Sequence, residues 1–135
     1  MIFSYAIIKI HKETLMKKIM ICGSRSINNE SLIFEKLNAA LVNNPDMILV
    51  SGGAKGVDSI GEAWAKSHNI QIQQYKPDWK RYGRGAGIVR NKIMIEASDY
   101  VFIFWDGISK GTKSVIDFCI KLNKPYLLME IKNDK

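Results

Sequence analysis

The sequence predicts an α/β protein: a five-stranded parallel sheet, doubly wound so that helices cover both faces in three layers. Three observations carry this. Short apolar runs alternate with helical patterns from Lys17 to Met129, and regular alternation of strands and helices implies right-handed crossovers and parallel pairing. The stretch Ser51–Asp58 (SGGAKGVD) joins an apolar run to a helical pattern through adjacent glycines, which is a strand–turn–helix junction. Tyr100–Phe104 (YVFIF) is apolar throughout, whereas Ile70–Tyr75 (IQIQQY) alternates. The first suits a central strand covered on both faces, the second an edge strand with one wet face. Five strands and four helices in this arrangement take the order 3-2-1-4-5.

Each element has a local reason. Ile19–Cys22 is the first strand, and Gly23-Ser24-Arg25-Ser26 turns the chain. Asn28 or Asn29 offers a side-chain oxygen to cap a helix that carries Ile33, Leu37 and Leu41 on one face and stops at Asn43-Asn44-Pro45. Met47–Val50 is the second strand. Val57–Ser67 is the second helix, with Val57, Ile60, Gly61, Trp64 and Ala65 on its apolar side. After the edge strand, Pro77–Gly87 reads as a loop and Ile88–Ala97 as the third helix. Thr112–Leu122 is the fourth helix, aligning Val115, Cys119 and Leu122, and Pro125–Met129 is the last strand. Asn133-Asp134-Lys135 is a tail.

Residues 1–15 stand apart. Their apolar run, IFSYAIIKI at 2–10, has its basic residues Lys9, His11 and Lys12 after it rather than before it, the wrong order for a secretory signal. They are expected to be an N-terminal appendage to a single domain spanning 16–132.

A chain of 135 residues is one domain's worth and can bury a core without staples. Its 47% hydrophobic and 24% charged content is that of an ordinary globular protein. The net charge of +7 suits an anionic partner: a nucleotide, a nucleic acid or an acidic surface. No apolar stretch reaches membrane-span length, so no membrane partner is expected, and the cytoplasm is the expected location. Cys22 and Cys119 lie on apolar faces and read as buried thiols in a reducing compartment; Cys22 has no neighbouring histidine to make it a nucleophile. His11 and His68 are far apart in polar settings, so neither a metal nor a cofactor is expected.

In such sheets ligands bind beyond the carboxyl ends of the strands, where the strand order reverses. Here that point lies between the first and fourth strands, where Gly23-Ser24-Arg25 meets Trp105-Asp106-Gly107, with the Ser51-Gly52-Gly53-Ala54 turn alongside. Gly52, Gly53 and Gly56 remove the Cβ atoms that block close approach of an anion to backbone N–H groups at a helix start. Asp58 caps that helix or accepts from a ribose hydroxyl. Glu62 falls off the apolar face and is either solvated or a spare acid. Between Lys76 and Lys92 lie six basic residues against the single acid Asp78, with Trp79 and Tyr82 interleaved and Gly83, Gly85 and Gly87 loosening the chain. Arg84 suits a bidentate phosphate contact, and Arg90 and Asn91 sit one turn into the next helix. Trp105 can stack on a base, Asp106 can accept from ribose or act as a base, and Gly111-Thr112 forms a third glycine-flanked helix start, with Thr112 as the N-cap.

Together, Gly23-Ser24-Arg25, SGGAKGVDSIGEAWA (Ser51–Ala65), Asp78-Trp79, GRGAGIVRNKIM (Gly83–Met94) and WDGISKGTKSVIDFC (Trp105–Cys119) resemble the SLOG superfamily, and most closely its small single-domain branch related to YspA and YpsA. The resemblance covers Lys17 to Tyr126. It implies a Rossmann-like fold and a nucleotide or nucleotide-derived ligand held by the Gly52-Gly53-Ala54-Lys55-Gly56 loop, Arg90-Asn91 and the Gly111-Thr112 turn. Relatives similar to the cytokinin-activating LOG enzymes hydrolyse the N-glycosidic bond of nucleoside monophosphates; others, like DNA-processing protein A, bind single-stranded DNA; others sense ADP-ribose-type signals. LOG-type hydrolases carry PGGxGTxxE after the fourth strand. Here that position reads DGISKGTKSV (Asp106–Val115), with no glutamate.

Binding of a nucleotide-type small molecule is therefore the leading expectation. A LOG-like hydrolase using Asp58, Glu62 or Asp106 and a single-strand nucleic-acid binder using Lys76–Lys92 are the alternatives. Pairing of the chain with itself is expected from the same resemblance.

Overall fold

A computed structural model describes residues 16–41 and 46–132. The expected N-terminal appendage, the Asn43-Asn44-Pro45 stop and the C-terminal tail lie outside the described residues. In order, the elements are β1 (Lys17–Gly23), α1 (Glu30–Leu41), β2 (Met47–Ser51), α2 (Val57–Ser67), β3 (Gln71–Gln74), α3 (Trp79–Tyr82), a 3-10 turn (Gly83–Gly85), α4 (Ala86–Ala97), β4 (Tyr100–Trp105), α5 (Lys110–Lys121) and β5 (Tyr126–Glu130). The sheet order is β3-β2-β1-β4-β5 and every pairing is parallel, with Ile19 opposite both Leu49 and Tyr100. This is the doubly wound, Rossmann-like arrangement expected, with the glutamine-rich β3 at an edge and β4 inside the sheet.

The period-two alternation of β1 divides the core. Ile19 and Ile21 point to one face, where α1 and α2 lay down Ile33, Leu37 and Trp64. Met20 and Cys22 point to the other, against Met94 and Ile95 of α4 and Val115 and Cys119 of α5. Trp64 is fully buried, and its indole N–H donates to Asn38 Oδ1 at 2.8 Å, so the one polar atom on that ring is satisfied. Asn29 is the α1 cap: its Oδ1 accepts the Leu32 N–H at 3.1 Å.

Three differences from the sequence reading bear on the site. Pro77–Gly87 is not a plain loop, because it contains α3 and the 3-10 turn. Asp78 caps α3 by accepting the Arg81 N–H at 3.1 Å, but a helix of four residues is too short to display an apolar stripe, so periodicity cannot find it. α4 begins at Ala86 rather than Ile88. α5 begins at Lys110, with Ser109 in the N-cap position, which places Thr112 inside the first turn and overturns its reading as the N-cap. Among the described residues no helix is long and apolar enough to cross a membrane.

Candidate ligand-binding site

A crevice of about 440 Å³ opens at the switch point between β1 and β4, within the usual size range of small-molecule pockets. Of the residues singled out in the sequence it brings together Gly23, Arg25, Ala54, Asp58, Arg84, Arg90, Asn91, Asp106, Gly111 and Thr112. Buried Cys22, Met94 and Val115 supply apolar lining, and Trp79 and Ile88, each more than half exposed, form part of an outer wall. Ser26, Gly87 and Ser109 complete the lining.

The wall made by the β1–α1 and β4–α5 loops is held by Ser24. Its hydroxyl is buried, lies 2.8 Å from the Ser109 hydroxyl and 3.4 Å from that of Thr112, and accepts the Asp106 N–H at 3.0 Å. Asp106 in turn closes its own loop: Oδ1 accepts the N–H groups of Ile108 and Ser109 at 3.0 and 2.8 Å, and Oδ2 accepts the Ser26 hydroxyl at 2.8 Å. Burial raises the Asp106 pKa, but the hydrogen bonds from Ile108, Ser109, Ser26 and Ser24 outweigh it and leave the carboxyl at about 2. A carboxylate so well solvated by the protein is a weak base. Trp105 donates its indole N–H to the Ser109 carbonyl at 3.0 Å and does not line the crevice. Ser24, Trp105 and Thr112 thus build the wall.

The glycine turn after β2 already uses two of its N–H groups within the chain. The Gly53 N–H donates to Ser51 Oγ and the Ala54 N–H to Asp58 Oδ2, both at 3.2 Å. A Cβ at Gly52 would lie 2.9 Å from Arg90 Nη1 and 3.0 Å from Asp58 Oδ2; at Gly56, where φ is +77°, it would lie 2.6 Å from the Ser24 carbonyl oxygen. These glycines make room for other parts of the same chain. Ser51, Gly52, Gly53 and Gly56 are absent from the crevice lining. Asp58 is the second residue of α2 and holds the turn rather than capping the helix, whose N-cap is Gly56. Glu62, read from sequence as solvated or spare, is neither: its Oε2 accepts the Ser51 hydroxyl at 2.7 Å and the Gln74 amide at 3.0 Å, tying the end of β2 to the end of β3 outside the crevice. Gly87 and Gly111 are the opposite case. Both line the crevice, and a Cβ at either would meet nothing within 4 Å.

Arg90 is half-buried and engaged. Its Nη1 donates to the carbonyls of Gly52 and Tyr75 at 3.1 and 3.2 Å, and its Nε to Asn91 Oδ1 at 3.0 Å. Burial lowers its pKa; Asp58 acts to raise it, and like-charge repulsion from Arg25 to lower it further. Arg25 and Arg84 have no hydrogen-bond or ion-pair partner among the described residues. Asp58 is only 5% exposed. Burial pushes its carboxyl up to about 6, opposed by the Ala54 N–H and Arg90, while Glu62 adds to the rise. The Cys22 thiol is driven well above its ordinary value, first by burial and then by Asp58 and Cys119, so it stays protonated and is no thiolate nucleophile. Among the described residues no group of three or more histidine, cysteine or acidic side chains could hold a metal ion.

Sequence reasoning missed Ile88, Met94 and Val115 as crevice residues, because each falls on an apolar helical pattern that also explains core packing. Trp79 was visible as an aromatic among basic residues, but its place at the crevice depends on the turn of α3.

The fold defines a Rossmann-like protein with a crevice at the strand switch point. The chain belongs to the YspA- and cpYpsA-related SLOG family, which it matches over residues 17–82. It is 31% identical over 119 residues to the Gene 61 protein of Mycobacterium phage D29, covering 83% of this chain and 95% of that protein. Among solved structures, DNA processing protein A from Helicobacter pylori, described for its single-stranded DNA binding mode, superimposes with a TM-score of 0.68 at 20% identity, over 93% of this chain and 70% of that one. DNA processing protein A from Streptococcus pneumoniae gives 0.68 at 18% identity, over 87% of this chain and 51% of that one.

Proposed function

We propose that the crevice binds a nucleotide or a nucleotide-derived ligand. The observation that carries this reading is the pairing of two guanidinium groups, Arg25 and Arg84, which have no partner among the described residues, with the exposed Trp79 ring around one cavity. Guanidinium groups match phosphate oxygens bidentately, an indole face suits a base, and the bare Gly87 and Gly111 leave room for a phosphate near two helix starts. Thermal denaturation with AMP, GMP, ADP-ribose, NAD and cyclic dinucleotides tests it. A ligand that binds only the native state raises the melting temperature by mass action. The expected result is a shift with at least one nucleotide, lost in Arg84→Ala; no shift at millimolar concentration sinks the reading.

A single-stranded nucleic acid is the second reading. It is favoured by the continuation of the crevice mouth into α3, where Trp79 and Tyr82 are exposed at 59% and 39% beside Lys80 and Arg81. It draws further support from the DNA-binding description of the Helicobacter pylori relative. It requires a short oligo-dT to bind with a steep loss of affinity as salt rises, where a mononucleotide loses little. Hydrolysis of an N-glycosidic bond is the third, with Asp58 as the crevice carboxylate best suited to exchange a proton; release of free base from nucleoside monophosphates tests it.

A further inference from the structure

Asp58 is a carboxylate in a cavity whose other features favour anions. It is buried, lines the crevice and accepts the Ala54 N–H at 3.2 Å. Among the described residues no cation stands within salt-bridge distance of it. The nearby cation, Arg90 of α4, is separated from it by Gly52, whose Cβ position is almost equidistant from Arg90 Nη1 and Asp58 Oδ2. Arg90 is already committed to the Gly52 and Tyr75 carbonyls and to Asn91. The other groups that face Asp58 are the protonated Cys22 thiol of β1 and Glu62, one turn along α2; Arg25, from the β1–α1 loop, acts on Arg90. An anion drawn to Arg25 and Arg84 therefore arrives in the same cavity as a buried negative charge that has no ion-pair partner.

We infer that Asp58 is a specificity-determining residue of the crevice, which takes up one proton from solvent when an anionic group binds and so makes the site select anions more strongly in mildly acidic solution. The inference rests on the reading of the crevice as an anion-ligand site. Two effects combine. Burial disfavours the ionised carboxylate in the free protein, and a bound anion adds like-charge repulsion, raising the affinity of Asp58 for the proton further. By linkage the two binding events help one another. Ligand affinity is then flat below the pH at which free Asp58 titrates, and falls by up to about tenfold per pH unit above it until the bound-state value is passed.

The test uses the full chain and two probes. ADP-ribose has phosphates that do not ionise between about pH 5 and 8, so protons counted on binding come from the protein. Calorimetry in two buffers of different ionisation enthalpy counts them, and side-chain carboxyl NMR follows Asp58 with and without sodium sulfate. The expected result is uptake of up to one proton per ADP-ribose, tighter binding as pH falls, and loss of both effects in Asp58→Asn. Should that variant not fold, the wild-type NMR titration decides, since sulfate must raise the Asp58 midpoint. Nucleotide binding with no proton uptake and no Asp58 shift overturns the inference and leaves the crevice reading standing. A sulfate-induced shift without any nucleotide binding supports the inference and sinks the nucleotide reading. Absence of both overturns both.

Discussion

Two glycine-bearing regions border the same crevice, and they use glycine for different ends. In the turn after β2, the added Cβ atoms would strike Arg90, Asp58, Gln74 and the backbone of Ser24 and Arg25, and the Gly53 and Ala54 N–H groups already donate within the protein. At the starts of α4 and α5, Gly87 and Gly111 face open space in the cavity. The first region is a joint that locks α2 against β1 and α4. The second keeps two helix starts bare where they border the cavity. A glycine-rich strand–helix turn is the more conspicuous feature in a sequence, yet the less conspicuous glycines are the ones that leave room for a ligand.

Substitutions can break this comparison. The largest effect is expected at Gly56→Ala, which combines a positive φ with a backbone collision at 2.6 Å; strain and overpacking together should cost about 3 kcal/mol, measured by urea unfolding. A smaller loss would mean that the joint yields more easily than its contacts imply.

Asp58 sharpens the comparison through pH. Its carboxyl is raised in the folded protein, from an ordinary 3.8 to about 6. Its contribution to stability is therefore fully present below pH 3.8 and is lost as pH rises through about 6. The stability of Asp58→Asn relative to wild type should improve by about 2–3 kcal/mol between pH 4 and pH 7.5, read by denaturant unfolding at both pH values. Asp106 has the opposite sign: held at about 2, it contributes stability above the ordinary carboxylate range that is lost as pH falls through about 2.

Arg84→Ala should leave stability within about 0.5 kcal/mol, because the side chain is exposed and has no partner among the described residues, while weakening nucleotide binding by about 2 kcal/mol, the scale of a charge-assisted hydrogen bond. The last stability effect has the most specific sign. Gly87→Ala in α4 should stabilise the free protein by about 0.5–1 kcal/mol, since alanine is the better helix former, and at the same time reduce ligand affinity by filling the cavity.

Most of the fold was legible because it rests on periodicities. The two faces of β1, the apolar run of β4, the wet face of β3 and the stripes of α1, α2 and α5 are written along the chain. The 3-2-1-4-5 order follows from them with the crossover rule. α3 escaped because one turn of helix has no period to display. The crevice was legible in part: Arg25, Asp58, Arg84, Arg90, Asp106 and Gly111 come together because they follow strands or begin helices at one edge. What sequence could not reveal was the internal use of the polar groups. Ser24, Asp106 and Glu62 look equally available on the page of letters, but in three dimensions each is engaged by hydroxyl or N–H partners up to 88 residues away. Asp58 shows the converse: a residue read most simply as a cap proves to be a buried carboxylate in the cavity wall.

The most direct measurement is amide NMR mapping of the isotopically labelled chain during titration with ADP-ribose. The account predicts that the largest perturbations fall on Arg25, Gly87, Ile88 and Gly111, with Gly53 and Ala54 nearly still because their N–H groups stay bonded to Ser51 and Asp58. Perturbations concentrated in Gly52–Gly56, with the α4 and α5 starts unmoved, would contradict it and return the glycine turn to the role of phosphate cradle.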